Sequence, residues 1–346
     1  MELKSILKIK PLGFPWETED PFIFCVHHRD EYPKGNADMG PAASLEGRNI
    51  GQDFTVKDGW RMYHGQTIPG FPYHPHRGFE TVTIVKEGLI DHTDSMGASG
   101  RFGKGDVQWM TAGKGILHSE MFPLIHQDQD NPTELFQIWL NLPKVAKFVE
   151  PHFKMLWEDS IPVLNETDRN SKSIEVNVIA GSLYNQKAPP PTPNSWAANP
   201  VNEVSILTIK LEAGASWILQ KASAEAYRNL YFYKGTGLQI EDEPIAAYHS
   251  IEVNAAHDLR LQAGNEDCFI LMLQGRPIME PVVQYGPFVM NSEAEIREAF
   301  QDYQLTQFGG WPWPKHEQAH DRNKERFASY ADGRVETKSR RKDYAD

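Results

Sequence analysis

Residues 69–121 consist of short strand-like segments separated by turn segments, and the clearest alternation of hydrophobic and polar positions is in ETVTIV at 80–85. ETVTIV at 80–85 is rich in β-branched residues, and KEG then offers a tight turn at Gly88. DSMGASG at 94–100 and GKGD at 103–106 are further turn segments. Such runs predict strands, and four or more of them with no helical period between them predict a small antiparallel barrel or sandwich.

The second half of the chain repeats this pattern. LYFYKG ends on Gly235 much as TVTIVKEG ends on Gly88, which favours an internal duplication. Further strand-like segments are VSILTIKLEAGASWIL at 204–219, IEVNA at 251–255 and CFILMLQG at 268–275. Between the halves, APPPTPNSWAANP at 188–200 is too rich in proline for a strand interior and predicts a connector or a long surface loop. The fold class is therefore predicted to be all-β, with two barrels of the same kind.

One helix is predicted, over NSEAEIREAFQDY at 291–303. Ser292 can act as its N-cap, with Glu295 as the capping-box partner. Ile296, Phe300 and Tyr303 have helical spacing and therefore fall on one face of the helix. This apolar face should pack on a barrel.

These patterns predict two domains and a tail. We place the first barrel at residues 1–145 and the second barrel, including the helix, at 146–303. In the tail at 304–346, the aromatic segment QFGGWPWP at 307–314 should dock on the body of the protein. Residues 321–346 are polar and mixed in charge, so most of them are expected to be solvated.

Length, charge and cysteine content narrow the function class. The 346 residues carry a formal net charge of −12, so no overall positive field attracts nucleic acid or an anionic membrane. The N-terminal region lacks the apolar core of a signal peptide, and no run approaches the roughly 20 apolar residues of a membrane span. The two cysteines, Cys25 and Cys268, are too few for a disulfide framework. A reducing cytoplasmic location is expected, without direct binding to nucleic acid or membrane.

Two pairs of potential metal ligands stand out in the first barrel. His74 and His76 are two residues apart in HPHRGFE, so on a strand both imidazoles project from one face. His118 and Glu120 repeat this spacing in HSE. Three nitrogens and one carboxylate could fill four positions of an octahedron and leave two open, which suits oxygen chemistry at Fe(II). Ligand type alone leaves Mn, Ni, Cu and Zn as alternatives.

Other histidines carry weaker signals. A histidine taken alone is more often an ordinary polar residue than a ligand. His27 and His28 in CVHHRD could border the pocket, although a histidine pair in a loop is more often solvated, and His64, His92 and His126 have lower priority still. Arg77 could anchor a substrate carboxylate or phenolate, although an arginine at this place more often pairs with a local acid.

Four segments resemble the signature segments of the pirin family, in the bicupin superfamily: FPYHPHRGFETVTIVKEG, GDVQWMTAGKGILHSEM, FQIWLNLP and EPVVQYGPFVMNSEAEI. The resemblance spans most of residues 15–303. It implies two cupin-type β-barrels with one metal, usually iron, in the N-terminal barrel. It also implies that the ligands are His74, His76, His118 and Glu120. Some pirins resemble quercetinases in activity, and others are described as nuclear cofactors of transcription.

Two features qualify this resemblance. In many cupins the glutamate that closes HxHxxxE is itself a ligand, and here Glu80 holds that position while Glu120 competes for the role. We interpret Glu80 as a group that supports the site or faces the core, because four ligands already leave the openness that catalysis needs. In the second barrel, an offset of 147 from Gly88 to Gly235 places Lys221 and Ser223 where His74 and His76 would be. One divalent ion per chain is therefore expected.

Two functions of different classes follow. The first is a metal-dependent dioxygenase, similar to quercetin 2,3-dioxygenase, that opens a flavonol-type aromatic substrate with O₂ and uses Glu120 as the proton acceptor. The second is a metal- or redox-sensing regulatory protein that acts through a protein partner without catalysis. A channel wide enough for a tricyclic flavonol would favour the first hypothesis, and a closed pocket would favour the second.

Overall fold

The computed structural model describes residues 5–338 of the chain. Within this range the structure consists mainly of β-strands, with one α-helix near the C-terminal end, so the all-β prediction is confirmed. In the same range, no helix combines the length and the apolar character needed to cross a membrane.

The first ten strands are β1 (Ile6–Pro11), β2 (Phe22–Tyr32), β3 (Gly70–His76), β4 (Phe79–Glu87), β5 (Leu89–Asp94), β6 (Ser99–Gly103), β7 (Val107–Thr111), β8 (Ile116–Met121), β9 (Asn131–Asn141) and β10 (His152–Leu156). The remaining strands are β11 (Val163–Thr167), β12 (Ser173–Ala180), β13 (Ser182–Leu183), β14 (Gln186–Lys187), β15 (Ser205–Leu211), β16 (Ser216–Leu219), β17 (Tyr227–Lys234), β18 (Leu238–Ile240), β19 (Glu243–Ile245), β20 (His249–Asn254), β21 (Leu259–Gln262), β22 (Cys268–Gly275), β23 (Val283–Tyr285), β24 (Phe288–Met290), β25 (Arg326–Ser329) and β26 (Val335–Lys338). Helix α1 spans Glu293–Thr306, and short 3₁₀ helices span Lys144–Ala146, Glu158–Ser160, Trp196–Ala198, Pro200–Asn202 and Gln307–Gly309.

The described chain divides into two compact units. The N-terminal barrel unit contains residues 27–137, 144–158 and 280–338, and the C-terminal barrel unit contains residues 5–26, 138–143 and 159–279. This division differs from the predicted boundaries at 145 and 303, because residues 5–26 group with the C-terminal barrel unit and residues 280–338 group with the N-terminal barrel unit. The physical reason is strand pairing: β1 pairs with β20 in one unit, and β25 pairs with β6 in the other.

The N-terminal barrel unit is built on two antiparallel sheets. One sheet has the strand order β10-β7-β4-β9-β2, and the other has the order β26-β25-β6-β5-β8-β3. Their alternating side chains form a core that includes Tyr32, Phe102 and Phe153, each of which is buried. Strands β3, β8 and β5 are neighbours in the second sheet, and these three strands carry the candidate site.

The C-terminal barrel unit has its own sheets and its own core. A seven-stranded sheet has the order β1-β20-β17-β22-β15-β12-β11, and a four-stranded sheet has the order β16-β21-β18-β19. Aliphatic and aromatic side chains such as Trp217, Phe232 and Ile270 fill the core. The proline-rich segment 188–200 lies inside this unit rather than between the two units, and the Trp196 indole donates a hydrogen bond to the Arg276 carbonyl at 3.0 Å.

Helix α1 begins as the sequence predicts but belongs to the other unit. Ser292 is the N-cap, and its hydroxyl accepts a hydrogen bond from the Glu295 amide at 3.3 Å. Ile296 packs with Phe288 of β24, so the predicted apolar face is confirmed. By its contacts the helix groups with the N-terminal barrel unit, whereas the predicted boundaries place it with the second barrel.

Most of the C-terminal segment is folded. As predicted, the aromatic stretch docks: the Trp311 ring stacks on Tyr73 at 5.0 Å, and the Trp313 indole donates to the Asp94 carbonyl at 2.8 Å. The expectation of a solvated tail from residue 321 is wrong for residues 326–338, where β25 and β26 extend the sheet and Phe327 is buried. Residues 339–346 lie outside the described part of the chain.

A buried ion pair attaches this segment to the barrel. The Arg101 guanidinium donates to both carboxylate oxygens of Asp91, at 2.7 and 2.8 Å. Its remaining N–H groups donate to backbone carbonyls of the C-terminal segment, namely those of His320, Asp321, Arg322 and Lys324. Both charged side chains are almost fully buried. Arg101 therefore donates hydrogen bonds both to the Asp91 carboxylate of β5 and to the backbone carbonyls of the turn that leads into β25.

We expect Arg101→Met to lower the free energy of unfolding by about 3–5 kcal/mol, because it leaves a buried carboxylate and several carbonyls without their donor. The measurement is the urea midpoint of the full chain. Arg29→Met is the matched control, since Arg29 pairs with Glu31 on the surface and should cost less than about 1 kcal/mol. Equal shifts in the two variants would contradict a structural role for the buried pair.

Candidate metal centre

Two neighbouring strands bring the predicted histidines together. Strands β3 and β8 are antiparallel, and their register sets His74 directly opposite His118. Side chains directly opposite each other project from the same face, and His76 lies two positions further along β3 on that face. The strand placement that the spacing predicts is therefore present.

The three imidazoles form a compact cluster, which we call the histidine triad (His74, His76 and His118). Their potential ligand atoms all lie within 4.8 Å of one another. The Nε2 atoms of His74 and His76 are 3.1 Å apart. Two nitrogens bound at right angles to one ion, each about 2.1 Å from it, would also be about 3 Å apart. The spacing of this pair therefore fits a shared ion.

Backbone carbonyls select the tautomer of two triad members. His74 Nδ1 lies 2.9 Å from the Pro72 carbonyl oxygen, and His76 Nδ1 lies 3.4 Å from the Pro287 carbonyl oxygen. A carbonyl can only accept, so each Nδ1 carries the proton and each Nε2 keeps its lone pair. Histidines that bind metals commonly donate their other ring N–H to a backbone carbonyl in this way.

His118 supplies the clearest sign of a missing partner atom. The residue is fully buried, and neither ring nitrogen has a hydrogen-bond partner among the described residues. A buried polar group without a partner costs about 1–3 kcal/mol. A metal ion on one nitrogen would remove part of this cost, so the residues present fit such a group.

Burial keeps the triad in the neutral form that binds metals. Desolvation lowers the pKa of His74 to about 4, and it lowers the pKa values of His76 and His118 well below 6.5. The neighbouring imidazoles add to the effect, because each one disfavours a positive charge on the others.

Glu120 lies beside the triad rather than in it. It follows His118 by two residues on β8, yet its carboxylate does not join the cluster of ligand atoms. Its Oε1 atom instead accepts a hydrogen bond from the Thr83 hydroxyl at 2.8 Å. Burial raises the pKa of the Glu120 carboxyl, and the Thr83 hydrogen bond opposes that shift. Glu120 as a fourth ligand stays a prediction.

The two secondary candidates have local partners. Glu80 is fully buried on β4 and accepts a hydrogen bond from the Thr111 hydroxyl at 2.6 Å, outside the triad. Arg77 donates to the Lys114 carbonyl at 2.6 Å and pairs with Asp302 at 2.8 Å. Arg77 therefore has the local acid that its position suggested, and neither residue belongs to the cluster of potential ligands.

Two other histidines are buried in positions that their sequence context did not suggest. His28 lies on β2 with only 3% of its surface exposed, so its assignment to a solvated loop was wrong; its Nδ1 lies 2.8 Å from the Tyr63 hydroxyl. His92 is opposite Glu120 on β5 and stacks on Phe153 at 4.6 Å. The sequence did contain a signal for His92: in HTD on β5, His92 and Asp94 have the same two-residue spacing as the two candidate ligand pairs.

His27 is also buried on β2, with 8% exposed, and its Nε2 lies 2.9 Å from a Glu134 carboxylate oxygen.

Ser223 of the C-terminal barrel unit is one of the two residues at the positions that correspond to the histidine pair. Its hydroxyl donates to the Glu203 carboxylate. Among residues 5–338, the histidine triad is the one cluster of three or more potential ligands that the structure contains. The expectation of one ion per chain stays a prediction.

Comparison with known proteins gives a consistent picture. The Pirin family model matches residues 42–140, and the model of the pirin C-terminal cupin domain matches residues 206–309. Pirin-1 of Arabidopsis thaliana is 37% identical over 245 residues, which cover 69% of this chain and 78% of that protein. A Pseudomonas aeruginosa protein that carries the provisional name quercetin 2,3-dioxygenase is 37% identical over 240 residues, covering 69% of this chain and 79% of its own.

A solved structure is similar over most of the chain. The crystal structure of quercetin 2,3-dioxygenase from Acinetobacter baumannii superposes with a TM-score of 0.69 at 25% identity, covering 88% of this chain and 98% of that one. The prediction of two cupin-type barrels is confirmed by these matches.

We expect His118→Ala to weaken metal binding by at least about 10-fold, because losses even beyond the ligands cost 10- to 100-fold. Glu120→Ala should weaken binding by a smaller factor, since its carboxylate lies outside the triad. Competition with a chelating dye measures both constants, and His257→Ala in the C-terminal barrel unit is the control. Unchanged affinity in both variants would refute the ligand assignment.

Metal affinity should depend weakly on pH where ordinary histidines titrate. A lowered pKa means that protons compete with the metal only at lower pH, near about 4 for His74. Co²⁺ titrations should therefore give nearly constant affinity from pH about 7.5 to about 5 as far as the triad is concerned. A steep loss of affinity beginning at about pH 6.5 would show that the imidazoles have ordinary pKa values.

Proposed function

The chain belongs to the pirin family, and we propose that it is a metal-dependent dioxygenase that opens flavonol-type aromatic substrates with O₂. One divalent ion, with Fe(II) preferred, would be held by His74, His76, His118 and Glu120. The observation that carries this proposal is the buried triad, in which two nitrogens lie 3.1 Å apart and the ring nitrogens of His118 have no hydrogen-bond partner within residues 5–338.

An ion bound to this set would supply Lewis-acid and redox chemistry at open coordination positions. The protein's own contribution is arrangement. The Pro72 and Pro287 carbonyls hold the first two imidazoles in the metal-binding tautomer, and the burial of His76 and His118 limits the access of water. The relatives named for quercetin 2,3-dioxygenase support the substrate class.

Glu120 is the proposed proton acceptor. Burial raises its pKa towards the range in which a carboxylate can take a proton from an enolic hydroxyl. Its position two residues after His118 on β8, with Oε1 accepting from the Thr83 hydroxyl, supports the role of a base close to the triad. Thr83 Oγ also lies 2.7 Å from Gln137 Oε1. The Thr83 hydroxyl has a single proton to share between these two acceptors, and its hydrogen bond to Glu120 orients the carboxylate.

Fe(II)-loaded protein should consume oxygen as flavonol absorbance is lost, and both signals should stop without oxygen. Glu120→Gln should reduce kcat by about 10²-fold or more while changing substrate binding little, because a positioned base contributes about 10²–10⁴-fold. Measurement combines an oxygen electrode with absorbance, using variants of equal metal content. Glu80→Gln is the matched control, a buried glutamate of the same barrel that lies outside the triad.

The two glutamate variants also separate the alternatives. An equal loss of kcat in Glu80→Gln would assign the acid–base role, or the fourth ligand, to the glutamate that closes HxHxxxE. Absence of oxygen consumption with every flavonol, together with partner binding in only one oxidation state, would favour the regulatory hypothesis instead.

A further inference from the structure

Three aromatic rings form a series of contacts that leads from the histidine triad to the protein surface, and we call them the aromatic wall (Phe54, His64 and Phe71). The Phe54 ring lies edge-on to His64 at 4.9 Å, and His64 lies edge-on to Phe71 at 5.8 Å. Phe71 is 6.3 Å from the His74 ring. The wall therefore begins beside a member of the histidine triad.

A β-bulge places Phe71 on the same face as the triad. Residues 71 and 74 are three apart, so in a regular strand they would project from opposite faces. The register of β3 against β8 shifts between them, which sets Phe71 opposite Glu120 and His74 opposite His118. Bulges commonly redirect a side chain next to an active site.

Exposure decreases along the wall towards the ion site. Phe54 is 39% exposed, and Phe71 and His74 are partly buried, whereas His76 and His118 are 3% and 0% exposed. His74 is thus the most accessible member of the triad. A ligand that approaches the metal centre from the His74 side would pass the aromatic wall.

The wall is held in place although its outer rings reach solvent. The backbone N–H and carbonyl of Asp53 exchange two hydrogen bonds with Tyr63, at 2.8 and 2.9 Å, so Phe54 and His64 follow paired residues. The Tyr63 hydroxyl donates to buried Asp30 at 2.6 Å. Rings that are ordered before binding lose little entropy when a ligand stacks on them.

His64 adds a polar group to this surface. Its Nδ1 lies 2.8 Å from the Gly51 carbonyl oxygen, so Nδ1 carries the proton. In the neutral ring Nε2 is then a hydrogen-bond acceptor on the side away from that carbonyl.

We propose that the aromatic wall is the substrate-binding surface of the metal centre and that its ligand is a planar polyphenol. Phe54 and Phe71 contact the ring system, and His64 Nε2 accepts a hydrogen bond from a ring hydroxyl. This inference rests on the proposed function, since it names the residues that would select the substrate of that same site.

The test uses full-length protein loaded with Zn²⁺, which cannot change oxidation state, so that binding is measured without turnover. Phe54→Ala and Phe71→Leu should each raise the dissociation constant for quercetin about 3- to 10-fold, because an aromatic pair contributes that much beyond its buried area. Metal content should stay at the wild-type level. Phe14→Ala is the matched control, a 49% exposed phenylalanine of the C-terminal barrel unit, and should leave the constant unchanged.

His64→Phe keeps a ring in the wall and removes the acceptor. It should weaken quercetin about 2- to 10-fold, the range for one hydrogen bond, and leave 3-hydroxyflavone, which lacks the other hydroxyls, nearly unaffected. An equal effect on both ligands would overturn the role of Nε2. Unchanged quercetin binding in both phenylalanine variants, or a loss that parallels loss of metal, would overturn the wall.

The outcomes for the wall and for the proposed function are distinguishable. Quercetin binding that depends on Phe54 and Phe71, without oxygen consumption by the Fe(II) form, would support the wall and contradict the dioxygenase. Turnover with an unchanged KM in both variants would support the dioxygenase and contradict the wall. Absence of quercetin binding by the wild-type Zn²⁺ protein would overturn the wall directly.

Discussion

The register of β3 against β8 is the constraint on which the candidate site depends. It sets His74 opposite His118, so imidazoles that are more than forty residues apart in sequence share one face. Because side chains alternate with a period of two, a slip of one residue would move either set to the other face of the sheet. The bulge after Phe71 adds a second adjustment, since it lets an aromatic ring and a histidine three residues later face the same space.

The site also carries a cost that the rest of the barrel must offset. His118 is fully buried, and in the described part of the chain neither of its ring nitrogens has a hydrogen-bond partner; Glu120 is a buried carboxyl whose pKa is raised. Groups of this kind reduce stability, and proteins retain them where function requires them. An ion that binds only the folded state would return part of the loss. Metal binding at the triad would therefore raise the stability of the N-terminal barrel unit.

Local patterns in the sequence predicted the strands, the capped helix and the two ligand pairs, because period-two alternation, Ser292 and the His-x-His spacing are all short-range signals. They did not predict which strands from the two ends of the described chain pair with strands of each unit. The pairing of β1 with β20 and of β25 with β6 joins residues more than two hundred positions apart, and no local pattern encodes such pairs. The position of His92 beside the candidate site was not predicted for a related reason, since it depends on the pairing of β5 with β8, which sets His92 opposite Glu120.

The placement of β25 beside β6 has a consequence for synthesis on the ribosome. The sheet that carries the triad includes β25, which ends at Ser329, although its other long strands are complete by residue 121. At a translation rate of about 5–20 residues per second, roughly 10–40 s separate the two events. During this interval the Arg101 and Asp91 side chains lie at an edge whose covering segment does not yet exist. The strands of this sheet that are made first must therefore stay free of aggregation until β25 has been added.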